Sequence, residues 1–279
     1  DDPDEAALNV SVIGTAIPAP IFGYSPGSFS ESLFVGEAST HYLQLTNTGG
    51  SDLEFNIGVS LTDAVVVPQD SEELPKGVEP SKYGPPSTEG SGGPDMFGYR
   101  WKDSDEAGGP LFDWVDISGI GTEIPFTGTD PDDRNHGPID IGFDFPFYGQ
   151  TFNTLRACTN GWLSFTSSST DLSNGLLPGT SAPENLLAVF HDDLRFYGAN
   201  NAKAYYLNDG ARFIVQYENV SKYGQSSTSL MNFEVILYPS GKIVYQYLSM
   251  SGTLTSATVG IQNATRDDGL TIAYNQAYV

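Results

Sequence analysis

The chemistry this chain could perform rests on its carboxylates. Asp103, Asp105 and Glu106 form one cluster, Asp130, Asp132 and Asp133 a second, Asp192 and Asp193 a third, and Asp267 and Asp268 a fourth. Each lies in a stretch that reads as a loop. A hard cation takes several oxygen ligands at once, and aspartate-rich loops supply carboxylates and carbonyls together. Asp130, Asp132, Asp133, Asp192 and Asp193 are therefore the candidate calcium (Ca2+) ligands. None of the clusters has EF-hand spacing, and Arg134 follows the second where a glycine would be wanted. The alternative is a solvated acidic loop. Beyond calcium, the residues indicate no cofactor.

The other reactive types do not assemble into a catalytic set. His41, His136 and His191 are far apart and none sits in H-E-x-x-H or a Cys/His cluster, so zinc is not expected. Gly23-Tyr24-Ser25-Pro26-Gly27 spells G-x-S-x-G. Pro26, however, lacks the N–H that an oxyanion hole takes from the residue after the serine. Cys158 is the single cysteine, which rules out an intrachain disulfide. Paired with His191 it would lack an orienting third group, and it reads as a small core residue. No two carboxylates stand out as a glycosidase pair. The chain is not expected to be an enzyme. For binding, Tyr148 lies in a turn, Trp101 belongs to the stretch 97–101 that opens the second domain, and His191 precedes Asp192 and Asp193. These three are the candidate contact residues for a glycan or a protein.

The elements that must position these groups read as strands. In residues 139–147, Ile139, Ile141, Phe143 and Phe145 alternate with Asp140, Gly142 and Asp144, the period of a strand with one buried face. Tyr148-Gly149 and Asn160-Gly161 are turn signals, and Trp162-Leu163-Ser164-Phe165 returns. Residues 186–190 are a continuous apolar run, hence a buried strand. Residues 204–217, 233–247 and 258–274 each read as a hairpin. Residues 112–117 alternate and would place Phe112, Trp114 and one of Val115 or Ile117 near the core. Residues 8–13, 29–33, 41–45 and 53–57 are further short strands. No stretch has sustained helical periodicity, and about ten strands in the C-terminal part suit a two-sheet sandwich or jelly roll.

Composition bounds the partners. The 279 residues include 35 acidic and 12 basic ones, a net charge of -23. That charge opposes binding to nucleic acid and to anionic lipid. No apolar run reaches membrane-spanning length, so membrane insertion is not expected. Asp1-Asp2-Pro3-Asp4-Glu5 reads as a processed end or an artificial boundary. Residues 67–96, rich in Pro, Gly, Ser and charge, read as a linker or as an irregular strap on a domain surface. The expected division is 1–66, 67–96 and 97–279.

Two resemblances accompany this reading. Residues 28–57, SFSESLFVGEASTHYLQLTNTGGSDLEFNI, resemble the small immunoglobulin-like modules of secreted bacterial multidomain proteins, which implies a spacer or interaction unit. Residues 97–279 resemble a β-sandwich module of secreted and surface bacterial proteins, often found beside subtilases or sorting domains. The motifs are Gly98-Tyr99-Arg100-Trp101, Phe112-Asp113-Trp114-Val115-Asp116-Ile117, Phe147-Tyr148-Gly149, Thr159-Asn160-Gly161-Trp162-Leu163 and Ala188-Val189-Phe190-His191-Asp192-Asp193-Leu194. The pairing of Asn160-Gly161-Trp162-Leu163 with Asp192-Asp193-Leu194 is also similar to nidogen-type extracellular domains. His191 and Val189 depart from the expected Trp and Pro. The resemblance implies an extracellular location and no peptidase activity.

The fold expected is all-β, a small immunoglobulin-like sandwich followed by a larger two-sheet sandwich. The function expected is that of a secreted or cell-surface structural or adhesive protein. Such a protein could self-assemble into a filament or layer. Leu8, Val10 and Val12 would then form a donor strand added to a neighbour's open sheet edge, or else pair within their own domain. Homo-oligomers or other surface proteins are the expected partners. The alternative is a glycan- or protein-binding accessory module of a larger secreted hydrolase.

Overall fold

The computed structural model is all-β. It describes residues 13–15, 17–29, 40–55, 76, 90–106, 108–225 and 229–278. The chain divides into two compact units, Asp1–Ala64 and Val65–Val279.

In the first unit, β1 (Phe22–Ser25) pairs antiparallel with β2 (Gln44–Asn47). Asn47 closes this ribbon. Its Oδ1 accepts the Ile21 and Gly49 N–H at 3.1 and 2.9 Å. The strand expected at 41–45 thus lies slightly later, where Asn47 can cap it. Residues 53–55 form no strand. The strand expected at 8–13 lies outside the described residues apart from Ile13, which is exposed. The described residues of this unit show one two-stranded sheet.

The second unit begins with a short ribbon of β3 (Ser91–Gly92) and β4 (Trp101–Lys102). Within residues 67–96, expected to be a linker or an irregular strap on a domain surface, Lys76 and β3 make contacts within this unit. The remaining strands are β5 (Thr122–Glu123), β6 (Asn135–Phe147), β7 (Gln150–Cys158), β8 (Trp162–Ser164) and β9 (Leu186–His191). They continue with β10 (Leu194–Arg195), β11 (Lys203–Asn208), β12 (Phe213–Lys222), β13 (Met231–Leu237) and β14 (Ile243–Met250). The last two are β15 (Thr258–Gln262) and β16 (Gly269–Tyr274). One sheet runs β6-β7-β8-β9-β15-β16. The other runs β14-β13-β12-β11-β5, with β10 beside β12.

Turn chemistry sets the registers. Tyr148 and Gly149 have φ of 45° and 73°, the two left-handed positions of a tight turn, so Phe147 faces Gln150 across β6 and β7. At Gly161, φ is 72° and a Cβ would stand 2.0 Å from the Phe190 carbonyl oxygen. Only glycine lets β9 pass this close.

The inward faces of the two sheets form one core. Phe145, Phe147, Leu155, Leu163 and Val189 of the first meet Phe213, Val215, Tyr217, Phe233 and Val235 of the second. Tyr217 stacks on Phe233 at 4.7 Å. Three tyrosines of the second sheet carry their hydroxyls across this core. Tyr217 donates to the Cys158 carbonyl at 2.8 Å, Tyr245 to Gly260 at 3.1 Å and Tyr247 to Val189 at 2.6 Å. Cys158 ends β7, and the register of β15 against β9 breaks between Thr258 and Gly260. The tyrosines thus reach carbonyls where the regular ladder is interrupted.

Residues 112–117 depart from expectation. They form no strand and run as an extended strap over the outward face of the second sheet. Of the residues expected near the core, Ile117 is the one fully buried, Trp114 and Val115 are half-buried, and Phe112 departs from expectation in being exposed. Val115 packs beside Ile117 against Tyr205, Ile214 and Ile236. The reason is in the main chain. The N–H groups of Asp113, Val115 and Ile117 donate to Gln246 Oε1 (2.7 Å), Glu234 Oε1 (3.1 Å) and Gln216 Oε1 (2.8 Å). Those three residues are register partners on β14, β13 and β12. Side chains, not a neighbouring strand, satisfy the strap.

Replacing Tyr217 or Tyr247 with phenylalanine keeps the ring and leaves a buried carbonyl short of a donor. Each substitution should cost about 1–3 kcal/mol, measured by chemical denaturation with an unchanged m-value.

Candidate functional site

The loops at one end of the sandwich gather the aspartates of the second and third clusters. Asn160, in the turn between β7 and β8, organises them. Its Nδ2 donates to Asp133 Oδ1 at 3.0 Å and its Oδ1 accepts the Leu194 N–H at 3.0 Å. Asp132 makes an isolated bridge with Arg195. One oxygen from each of Asp132, Asp133 and Asp193 can lie within 4.8 Å of the others.

Lys76 sits among these three. Its Nζ is 2.8 Å from Asp132, 2.7 Å from Asp133 and 3.2 Å from Asp193, and it stands 4.4 Å from the centre of the Tyr223 ring. Burial pulls the ammonium pKa down, but the hydrogen bonds from Asp132 and Asp133 outweigh it and hold the group above its ordinary value. The other two candidate ligands have separate partners. Asp130 accepts from Arg195 Nη2 at 3.2 Å and from the Gly198 N–H at 2.7 Å. Asp192 is buried and takes Lys222 Nζ at 2.6 and 2.8 Å and the Ser256 hydroxyl at 2.7 Å. Of the five aspartates, three converge and two are committed to neighbouring ion pairs.

The contact candidates also separate. Tyr148 closes the β6–β7 turn, and its hydroxyl donates to Asp95 Oδ2 at 2.6 Å. Asp95 in turn accepts the Gly98 and Tyr99 N–H groups. Burial and the Asp95 carboxylate together push the Tyr148 phenol well above its ordinary pKa. Its ring meets Tyr99 at 4.8 Å and Phe97 at 5.4 Å. With Pro146 and Gly241 these rings line an open hollow of about 400 Å³. Trp101 does not line it and instead meets the edge of Tyr278 at 5.9 Å. His191 is wholly buried, so it offers no surface for a ligand. The donor-strand residues Leu8, Val10 and Val12 lie outside the described residues.

A family model described as NIDO related matches residues 113–279, well over half the chain. The chain belongs to the NIDO-related family. No solved structure matches it. The match spans the sandwich from the strap at 113–117 through β16, and includes the three convergent aspartates. NIDO-related domains are non-catalytic modules typical of extracellular proteins, with structural or adhesive roles, and they mediate protein interactions. Among the described residues, no helix is long and apolar enough to cross a membrane.

The thiol and imidazole of this NIDO-related domain fit that assignment. Burial pushes the Cys158 thiol up from its ordinary pKa. Burial also lowers His191 to about 4, against a weaker pull from the Asp171 carbonyl 3.3 Å from Nε2. Both groups are neutral near pH 7, whereas a nucleophilic pair needs a thiolate. The sequence reading missed Lys76, Lys222 and Glu234. The two lysines had a signal, because a cation is rare in this chain and each can answer an acidic loop. Glu234 had none, since alternation alone would put it on the solvent side of β13.

Calcium at the Asp132, Asp133 and Asp193 triad must displace the Lys76 ammonium. Thermal melting of the wild type with calcium or chelator should therefore show a small difference. Lys76→Met should lower the midpoint in chelator and enlarge the calcium-dependent rise, because a ligand held only by the native state stabilises it. An equal calcium response in both proteins would refute the competition.

Proposed function

We propose that this NIDO-related protein is a structural or adhesive component outside the cell that self-associates by β-strand addition. Residues 8–13 of one copy, with Leu8, Val10 and Val12 on one face, are the donor strand. The immunoglobulin-like N-terminal part acts as spacer and donor, and the sandwich as acceptor.

One observation supports this reading above the others, the character of the edge at β14. β14 is the terminal strand of its sheet, eight residues long, and its sequence IVYQYLSM holds neither a charge nor a proline. Sheet edges exposed to solvent are normally blunted by charge, proline or brevity. The edge at β6 carries Asp140, Asp144, Pro138 and Pro146, β5 has two residues, and β16, which also lacks charge and proline, is shorter at six residues. The register of β13 on β14 moves at Leu248, so residues 243–247 form the regular stretch, about the length of the donor. The net charge of -23 works against association, and salt would relieve it.

The test is electron microscopy with light scattering of the full chain over protein and salt concentration. Assembly should rise with ionic strength. Val10→Asp should abolish it and Leu248→Lys should weaken it, both with unchanged melting midpoints. A wild type that stays monomeric throughout would sink the proposal.

The hollow beside Tyr148 favours a second reading, in which the domain is a glycan- or protein-binding module. Two exposed or half-exposed rings, Phe97 and Tyr99, border it next to the acceptor Asp95. On this reading Phe97→Ala should weaken glycan-array or partner binding roughly tenfold, the scale of about 1–1.5 kcal/mol for one aromatic contact. Unchanged binding would exclude the hollow. Calcium bound at the aspartate triad remains compatible with either reading.

A further inference from the structure

Glu234 is buried at 0 % exposure in the middle of β13, on the sheet's outward face. What covers it is the strap at 113–117. Its Oε1 accepts the Val115 N–H at 3.1 Å and Gln246 Nε2 at 2.7 Å. Among the described residues its Oε2 is buried with no hydrogen-bond partner. Gln216 and Gln246, on either side of it, perform the same task for the strap without a titratable group. A glutamine at 234 would complete that row. A glutamate adds a proton-binding site to the contact that seats the strap.

We propose that residues 113–117 are a proton-gated cover, seated on the sheet while Glu234 is protonated and loosened when it ionises. The physical cause is desolvation. An ionised carboxylate whose buried second oxygen faces no protein donor among the described residues is costly, and lifting the strap is the simplest way to hydrate it. The charged groups around it do not cancel this cost. Arg212, at the entry to β12, attracts the carboxylate but is already paired with Asp209 at 3.0 Å. Asp113 of the strap repels it. Asp116, also on the strap, is engaged by Gln216 Nε2 and the Ser118 N–H. At the start of β14 the only charge is Lys242, which stands over the Tyr238 ring. Burial accordingly raises the Glu234 pKa to about 7, against smaller opposing pulls from the Val115 and Gln246 hydrogen bonds.

The sign follows from proton linkage. The seated state binds the Glu234 proton up to about pH 7, whereas the lifted state releases it near the ordinary value of 4.5. Seating is therefore favoured at low pH, loses ground at full slope between about 4.5 and about 7, where lifting releases one proton, and levels off above about 7, where both states are ionised. Lifting uncovers Ile214, Ile236 and Tyr205, an apolar surface on a protein that works by contact with others.

Hydrogen exchange of the full chain reads the gate directly. After correction for the intrinsic base-catalysed rate, the opening constant for the Val115 and Ile117 amides should rise about tenfold per pH unit between about 4.5 and about 7 and level off above neutrality. The Ala157 amide, in β7 of the other sheet, should show no such slope. In Glu234→Gln the strap amides should also be flat. Equal slopes in wild type and variant, or no slope in the wild type, would overturn the proposal. Should the variant not fold, the carboxyl carbon of Glu234 in the wild type is followed by NMR. A midpoint near neutrality supports the gate and one near 4.5 refutes it. His191 titrates in the opposite sense, because its lowered pKa removes stability as pH falls from 6.5 toward 4. Global stability therefore mixes the two groups, and the strap amides separate them.

Discussion

A two-sheet core stays dry only when each main-chain group that the ladders leave unpaired finds a partner inside it. In this sandwich the ladders break at bulges and hairpin ends. Tyr217, Tyr245 and Tyr247 meet that demand by spanning the core with apolar rings and ending on carbonyls of the opposite sheet. Each ring fills volume while its hydroxyl fixes distance, so the two sheets are spaced and registered by the same side chains. The same demand governs the outward face. There the strap has no strand beside it, and Gln246, Glu234 and Gln216 replace the missing ladder one residue per strand.

Charge is handled by a parallel economy. The chain has 35 acidic residues and only 12 basic ones, and several of the basic ones are spent where acids converge. Lys222 is buried against Asp192 and Ser256, Lys76 joins three aspartates, and Arg195 joins Asp130. Removing Lys222 would leave Asp192 buried and unpaired, which costs on the order of 3–5 kcal/mol. Surface acidity and internal neutrality are thus separate features. The first keeps copies apart at low salt, and the second lets acidic loops close over the end of the sandwich.

The sequence shows the fold where one face of a strand is buried and the other wet. β6, β9 and the hairpins from β11 to β16 all follow from alternation and turn residues. It misleads at residues 112–117, where alternation is real but the partner is a row of side chains. Periodicity records that one face is buried, not which surface buries it. The candidate site is legible to a similar depth. Aspartate clusters are visible as composition, yet which of them meet depends on Asn160 and on the closure of three loops. His191 reads as a contact residue because acids follow it, yet it ends β9 in the interior, with Nε2 beside the Asp171 carbonyl. Lys76 lies far along the chain from its partners, and no local pattern links them.

Glu234 shows why the remaining information is not local. Along β13 it is one polar residue between Phe233 and Val235, as ordinary as Asn232. It becomes unusual only because the strap passes over it and because its two register neighbours are glutamines. A row made wholly of amides would seat the strap equally well at any pH. A carboxyl in the same place makes seating depend on a proton. The difference between a fixed cover and a conditional one is then a single oxygen atom, Oε2, which is buried and finds no donor among the described residues.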